Sequence, residues 1–220
     1  MLEALNSLDT QIFYWINGHH NAVLDWTMWS LSQHWCWAAV IVIAFFALTI
    51  RTFRISPFSI QIERHWWIAL AGIALCFLLA DQGSVHLFKD TVCRLRPCHA
   101  LDNVRMFQTH CGGQYGFVSS HAANAFAIVT FIWLRYGKKR AQACRDEQRS
   151  VGVRNGVIVG LLMWALATCY SRPYLGKHYP GDMVCGALFG MLAGWIVWLL
   201  MNWMEKKMHI VKQNDETSVI

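Results

Sequence analysis

Three short clusters in this 220-residue chain hold groups that could act on a phosphate. The first runs from Lys89 to Arg96-Pro97, the second is Ser119-Ser120-His121, and the third is Ser171-Arg172 followed by His178 and Asp182. Lys89, Arg96 and Arg172 are cations able to surround one anion. The planar fork of arginine fits phosphate oxygens two at a time, while lysine acts as a point charge. Ser119 and backbone N–H groups at a helix start add neutral donors and a favourable dipole. His178 and Asp182 are four residues apart, so on a helix they share one face. A carboxylate bonded to one ring nitrogen sets the tautomer and leaves the other as a nucleophile or base. His121 is then available as the general acid for a leaving oxygen. This inventory fits phosphoryl transfer through a phosphohistidine and calls for neither a metal nor a cofactor.

Taken singly, these residues have blander explanations. A lysine or arginine at the end of an apolar stretch snorkels to the membrane surface, and a helical serine bonds its own backbone. The weight lies in their joint spacing, and in whether the surrounding elements bring them to one place.

Those elements are apolar. Hydrophobic residues make up 55% of the chain and charged residues 15%, with a mean hydropathy of +0.30. A soluble domain carries about 25% charged residues, so an integral membrane protein is expected. Stretches long enough to cross ~30 Å of hydrocarbon fall at 26–50, 66–88, 117–136, 155–171 and 183–204. The expected fold is an all-α helical bundle of five transmembrane helices, or six if the N-terminal segment also crosses. Leu5, Leu8, Ile12, Trp15 and Ile16 recur at helical spacing with Asn6, Asp9 and Gln11 on other faces, which predicts an interfacial amphipathic helix. The expected division is residues 1–25 as this segment, 26–204 as the transmembrane unit and 205–220 as a tail.

The basic residues sort by side. Thirteen of the 19 Lys and Arg fall at 51–65, 135–154 and 205–220, and six fall in the alternate loops. The positive-inside rule then puts the C-terminus in the cytoplasm and all three clusters on the outer face. The net charge of +6 is accounted for as topogenic, and nucleic acid is not an expected partner.

At these residues the chain resembles the type 2 phosphatidic acid phosphatase family, with its motifs K-x6-R-P, P-S-G-H and S-R-x5-H-x3-D. The first and third match throughout. In the second, Val118 stands for Pro and Ser120 for Gly, while Ser119 and His121 match. The resemblance covers roughly 66–204. It implies a helical bundle with its pocket at the membrane–water boundary. Lys89, Arg96, Arg172, Ser119 and the Ser120 N–H would hold the phosphoryl oxygens. His178 would attack phosphorus, Asp182 would orient it, and His121 would protonate the leaving group. The expected protein is a bacterial inner-membrane lipid phosphatase with a periplasmic site and no obligate protein partner. Undecaprenyl diphosphate or a lipid A phosphate is the favoured substrate, ahead of phosphatidylglycerophosphate and phosphatidate. A lipid phosphotransferase using the same site, a soluble haloperoxidase and a non-enzymatic transporter are the competing readings.

Three cysteines, Cys93, Cys98 and Cys111, share the outer loop, where disulfides persist. Spacing alone does not choose a pair. Cys98 and Cys111, which close a short loop, are the expected disulfide, with Cys93 free.

Overall fold

A computed structural model describes residues 2–54, 59–62, 66–137 and 145–217, with side chains placed over 3–50, 66–137 and 152–208. Four of the thirteen basic residues behind the charge count, Arg64, Lys138, Lys139 and Arg140, lie outside the described residues.

Helix α1 (Leu2–Gly18) is followed by α2 (Ala22–Leu31) and α3 (His34–Thr49). The last two meet at a 66° bend across Ser32 and Gln33. A short antiparallel hairpin, β1 (Ile50–Arg54) and β2 (Ser59–Ile62), stands where only a loop is expected from sequence. Helix α4 (Trp66–Gly83) continues through a π-helical turn, Ser84–Lys89, into α5 (Asp90–Val92). A short α6 (Pro97–Ala100) precedes α7 (Ser120–Tyr136), α8 (Arg145–Tyr174) and α9 (Pro180–Thr217). Helix α9 runs on through the segment set apart as a tail.

The protein is an all-α, multi-span membrane bundle. Among the described residues, three helices are long and apolar enough to cross a membrane: Trp66–Val92, Gly152–Tyr174 and Pro180–Met208. The bent pair α2–α3 makes a fourth if taken as one span. Helix α7, with 17 residues, sits at the centre. Ala122, Ala123, Ala125, Ala127 and Phe131 on it are fully buried, packed against protein rather than lipid. On α9, by contrast, Val184, Leu188, Leu192, Ile196 and Leu199 form an exposed apolar stripe suited to acyl chains.

The pairing of α7 with α9 is close because α9 presents glycines. A Cβ at Gly190 or Gly194 would overlap the carbonyl oxygens of Ala123 and Ala127. Lipid offers no hydrophobic push between helices, so small residues that allow backbone approach supply the contact energy. A core of Trp37, Leu48, Ile68, Ile73, Cys76, Ile128, Ile132, Leu161, Trp164 and Val197 ties α3, α4, α8 and α9 around α7.

Helix α1 buries Phe13, Ile16 and Asn17, while Leu5, Leu8 and Trp15 point away from the protein. Its Asn17 amide donates to the carbonyls of Arg105 and Tyr174, each at 2.9 Å. The Arg105 guanidinium in turn grips Asp25 at 2.8 and 2.7 Å, and the Tyr174 hydroxyl donates to Asp25 at 2.7 Å. These contacts lash α1, α2 and the 101–117 loop to the end of α8.

Candidate active site

The three clusters converge at one end of the bundle, each placed by a local device. The π-helical turn Ser84–Lys89 inserts extra backbone into the end of α4, a feature frequent at functional sites. It brings Lys89 Nζ to donate to Ser120 Oγ at 2.7 Å, and Ser84 Oγ lies 2.5 Å from the same hydroxyl. The departure at Ser120 from the family pattern therefore has a structural use: its hydroxyl is the docking point of the lysine.

Arg96 is the N-cap of α6 with Pro97 in the first turn, where the missing N–H costs nothing. Its backbone N–H donates to the Gln114 carbonyl at 3.1 Å, and Gly116 N–H to Arg94 at 2.8 Å, around the Leu95–Tyr115 bridge. The Arg96 side chain donates from Nε to Tyr115 O at 3.2 Å and from Nη1 to Cys111 O at 3.1 Å. Cys98 and Cys111 are joined by a disulfide, and Cys93 is a free, exposed thiol. The bridged sulfurs lie within 4.8 Å of the His99 ring, but as a disulfide they offer no thiolate to a metal.

Ser119 is the N-cap of α7, and its hydroxyl caps nothing. Its Oγ is buried without a hydrogen-bond partner. The hydroxyl and the first free N–H groups of α7 form the donor arrangement that an anion occupies at a helix start. Arg172, on the last turn of α8, is 3% exposed; Nη1 donates to Ser32 Oγ at 2.9 Å, and Nε has no partner. The bend between α2 and α3 thus supplies the acceptor that holds one corner of this guanidinium.

His178 and Asp182 flank the start of α9. Gly176, with φ +77°, turns the chain after α8; a Cβ there would strike Val104 and the Arg105 carbonyl. Tyr179 is the N-cap and Pro180 the first helical residue. Asp182, three residues on from the cap, reaches back with Oδ2 to the Tyr179 N–H at 3.1 Å, as in a capping box. That leaves Asp182 fully buried, its Oδ2 3.4 Å from His178 Nδ1. The Nδ1 forms no well-aligned hydrogen bond. Gly116 packs against the pair: a Cβ there would come 3.2 Å from Asp182 Oδ2 and 3.5 Å from His178 Nδ1. Burial first, then the charges of Arg96, Arg172 and Lys89, hold the His178 imidazole well below its ordinary range. It is therefore neutral near pH 7, the form a nucleophile needs. His121 stands in the first turn of α7 with its ring edge against Trp37, centroids 5.6 Å apart.

Sequence reasoning missed two cations. Lys177 reads in the sequence only as a loop charge. Its burial, then the charges of Arg172 and Arg96, pull its ammonium down to about 8, so it shares their field. Arg94 lies inside the first motif at a position the pattern leaves open. It donates to Asp182 Oδ1 at 2.9 Å and to Asp9 Oδ2 at 2.8 Å, and its guanidinium sits 4.0 Å above the Tyr179 ring. A mid-helix aspartate on an amphipathic segment was the only available signal, and Asp9 reads there as a solvated residue.

The site gathers Lys89, Arg96, Arg172 and Lys177 around buried polar atoms that have no partner of their own. Such a set favours a dianionic ligand. Comparisons with known proteins agree. Residues 65–206 match the PAP2 superfamily. The lipid A 4'-phosphatase of Bacteroides thetaiotaomicron is 30% identical over 207 residues, covering 91% of this chain and 80% of that one. The lipid A 4'-phosphatase of Porphyromonas gingivalis is 24% identical over 200 residues, covering 90% and 74%. The fold is similar to the crystal structure of Aquifex aeolicus LpxE, with TM-score 0.54 and 21% identity over 86% of this chain and 94% of that one. It is also similar to the PAP2-type phosphatidylglycerolphosphate phosphatase of Bacillus subtilis, with TM-score 0.62 and 20% identity over 93% and 87%. The chain belongs to the PAP2 superfamily. It is a multi-pass membrane phosphatase acting on lipid phosphate groups.

Proposed function

We propose that the protein hydrolyses a phosphomonoester of a lipid A-type glycolipid at the outer face of a bacterial inner membrane. The observation that carries this reading is the convergence of Ser119 Oγ and Arg172 Nε, both buried and without hydrogen-bond partners, on the buried His178 imidazole among four cations. Buried polar atoms left open cost stability unless a ligand completes them. In this reading Lys89, Arg96, Arg172, Ser119 and the Ser120 N–H hold the phosphoryl oxygens. A ring nitrogen of His178 attacks phosphorus as the bond to the leaving oxygen breaks, and His121 delivers a proton to that oxygen. Water then attacks the phosphohistidine, His121 takes up its proton, and inorganic phosphate leaves. Asp182 holds His178 in place. The four cations supply the charge stabilisation that metal ions give in other phosphatases, so this scheme runs without a metal.

The same reading takes five spans, with α7 as a span short in hydrocarbon but enclosed by protein. The N-terminus and site then lie on the outer face and the C-terminus in the cytoplasm, with 1–25 as an interfacial segment, 26–204 as the catalytic unit and 205–220 on the cytoplasmic side. The charge split of thirteen to six supports that orientation. The choice of a lipid A-type substrate draws on the two relatives named for that activity.

The test is release of inorganic phosphate from purified lipids in detergent: a lipid A phosphate, undecaprenyl diphosphate, phosphatidylglycerophosphate and phosphatidate. Fastest release from the lipid A phosphate is expected, with none from His178→Ala. Phosphate transfer to a second lipid without release would overturn hydrolysis in favour of transfer.

A further inference from the structure

Beside His121 a cleft of about 280 Å³ opens between α3, α4 and α7. Its polar residues stand where those helices end nearest the phosphate cradle. His34 is the first residue of α3, Asp81 lies two residues from the end of α4, and His121 is in the first turn of α7. Ile41 and Phe77 line it one to two turns deeper. Asn124, one turn into α7, is 4% exposed, and its Oδ1 has no hydrogen-bond partner. A carboxamide oxygen left open in the middle of a helical bundle is costly, and this one borders the cleft.

We propose that this cleft is the leaving-group site, and that Asn124 and Asp81 select a leaving group bearing hydroxyl or amide N–H donors, as a sugar ring does. The proposal deepens the reading of the protein as a phosphatase of a glycolipid and rests on it. Both Asn124 Oδ1 and the Asp81 carboxylate are acceptors, so the fitting partner must donate. A sugar next to the scissile oxygen offers such donors at the distance of a ring. Diacylglycerol, the leaving group of phosphatidate, presents ester oxygens, which are acceptors themselves. A prenyl diphosphate is fitted worse, since its leaving group is a phosphate and Asp81 would repel it. The apolar depth at Ile41 and Phe77 takes the first carbons of an acyl chain attached to the sugar.

The test compares kcat/KM for a glucosamine-based lipid A phosphate with that for phosphatidate in wild type, Asn124→Leu and Asp81→Asn. Losing a donor's buried partner should lower the ratio of the two by about tenfold or more in Asn124→Leu and by a smaller factor in Asp81→Asn. Competitive inhibition by inorganic phosphate, which needs only the cradle, reports whether each variant is folded. Inhibition by the dephosphorylated glycolipid should weaken with the ratio. A wild-type protein that prefers phosphatidate or undecaprenyl diphosphate overturns the substrate reading and this proposal with it. A preference for the sugar phosphate that survives in both folded variants overturns this proposal alone. So does a variant that loses both substrates in equal measure, since Asn124 would then act on packing.

Discussion

Arg94 holds the buried carboxylate of Asp182 at 2.9 Å, and its other nitrogen carries the contact on to Asp9 of α1. Asp9 also accepts the Gly181 N–H at 2.7 Å, one residue before Asp182. The N-terminal helix is thus wired to the residue that positions the proposed nucleophile. Removing one partner of a buried ion pair costs about 3–5 kcal/mol, because the other charge is stranded. Arg94→Ala should therefore lower thermal stability and cut kcat by about tenfold to a hundredfold with a smaller change in KM, on the scale of positioning effects. Arg94→Lys should recover part of kcat. A change confined to KM would show that Arg94 binds phosphate instead.

His178→Ala should abolish turnover, since no neighbouring group replaces the attacking nitrogen. His121→Ala should cost about 10²–10⁴-fold, the range of general-acid catalysis. That cost should shrink for an aryl phosphate, whose leaving oxygen needs less protonation. Acid-quench trapping distinguishes the roles: His121→Ala should accumulate acid-labile phosphoenzyme and His178→Ala should not. Chelators should leave wild-type turnover unchanged.

Lys177, with its ammonium pulled down to about 8, gives the free enzyme a basic limb. Above that pH the cradle loses one charge, so kcat/KM should fall as pH rises through about 8. Lys177→Met should lower kcat/KM at pH 7 and remove this limb, leaving the decline to groups that titrate higher. A wild-type profile flat to pH 9.5 would show that Lys177 does not face the substrate.

The depressed His178 links activity to stability at acid pH. In the unfolded chain a histidine takes up its proton near about pH 6.5, while the folded protein holds His178 neutral to lower pH. Across that window the unfolded state binds more protons. Stability present above pH 6.5 is therefore lost as pH falls, by at most about 1.4 kcal/mol per pH unit for this group. Thermal unfolding in detergent between pH 7 and 5 should show a shallower decline for His178→Gln than for wild type, and inorganic phosphate should reduce the wild-type slope by neutralising the surrounding cations.

The Cys98–Cys111 disulfide fixes the carbonyl to which Arg96 Nη1 donates. Cys111→Ser should free that loop and raise KM several-fold, with a smaller effect on kcat. Equal KM for the variant and wild type would mean that the Tyr115 contact and the neighbouring bridge hold Arg96 alone.

The parts of the site legible from sequence are those whose geometry is local. His178 and Asp182 sit one helical turn apart, and Lys89 and Arg96 are separated by a helix end and a turn, so spacing carries the meaning. Arg94 escaped because its partners are 85 and 88 residues away, and Lys177 because only the fold sets it beside Arg172 and Arg96. Hydropathy located the long helices well, since α4, α8 and α9 face lipid over much of their length. It could not show that α7 is sheathed by protein, because a stretch reads the same whether alanines or acyl chains surround it. The bend at Ser32 and Gln33 falls inside the apolar stretch 26–50, and its use, as the anchor of Arg172, depends on a contact 140 residues long in sequence.

The glycines of α9 carry a consequence for how this enzyme can evolve. Helix α7 bears His121 and α9 bears Asp182, and the two backbones touch where Gly186, Gly190 and Gly194 leave no side chain between them. His121 and Asp182 are therefore gauged against each other by a spacer of zero thickness that begins at Ser119 and runs on down the two helices. A methyl group added there would push α9 off α7 and shift the two groups relative to each other, with every motif residue still in the sequence. A lineage scanned only for its motifs would look intact after such a change and yet be silent, so the helix-packing face belongs with the motifs in any inference of activity from sequence.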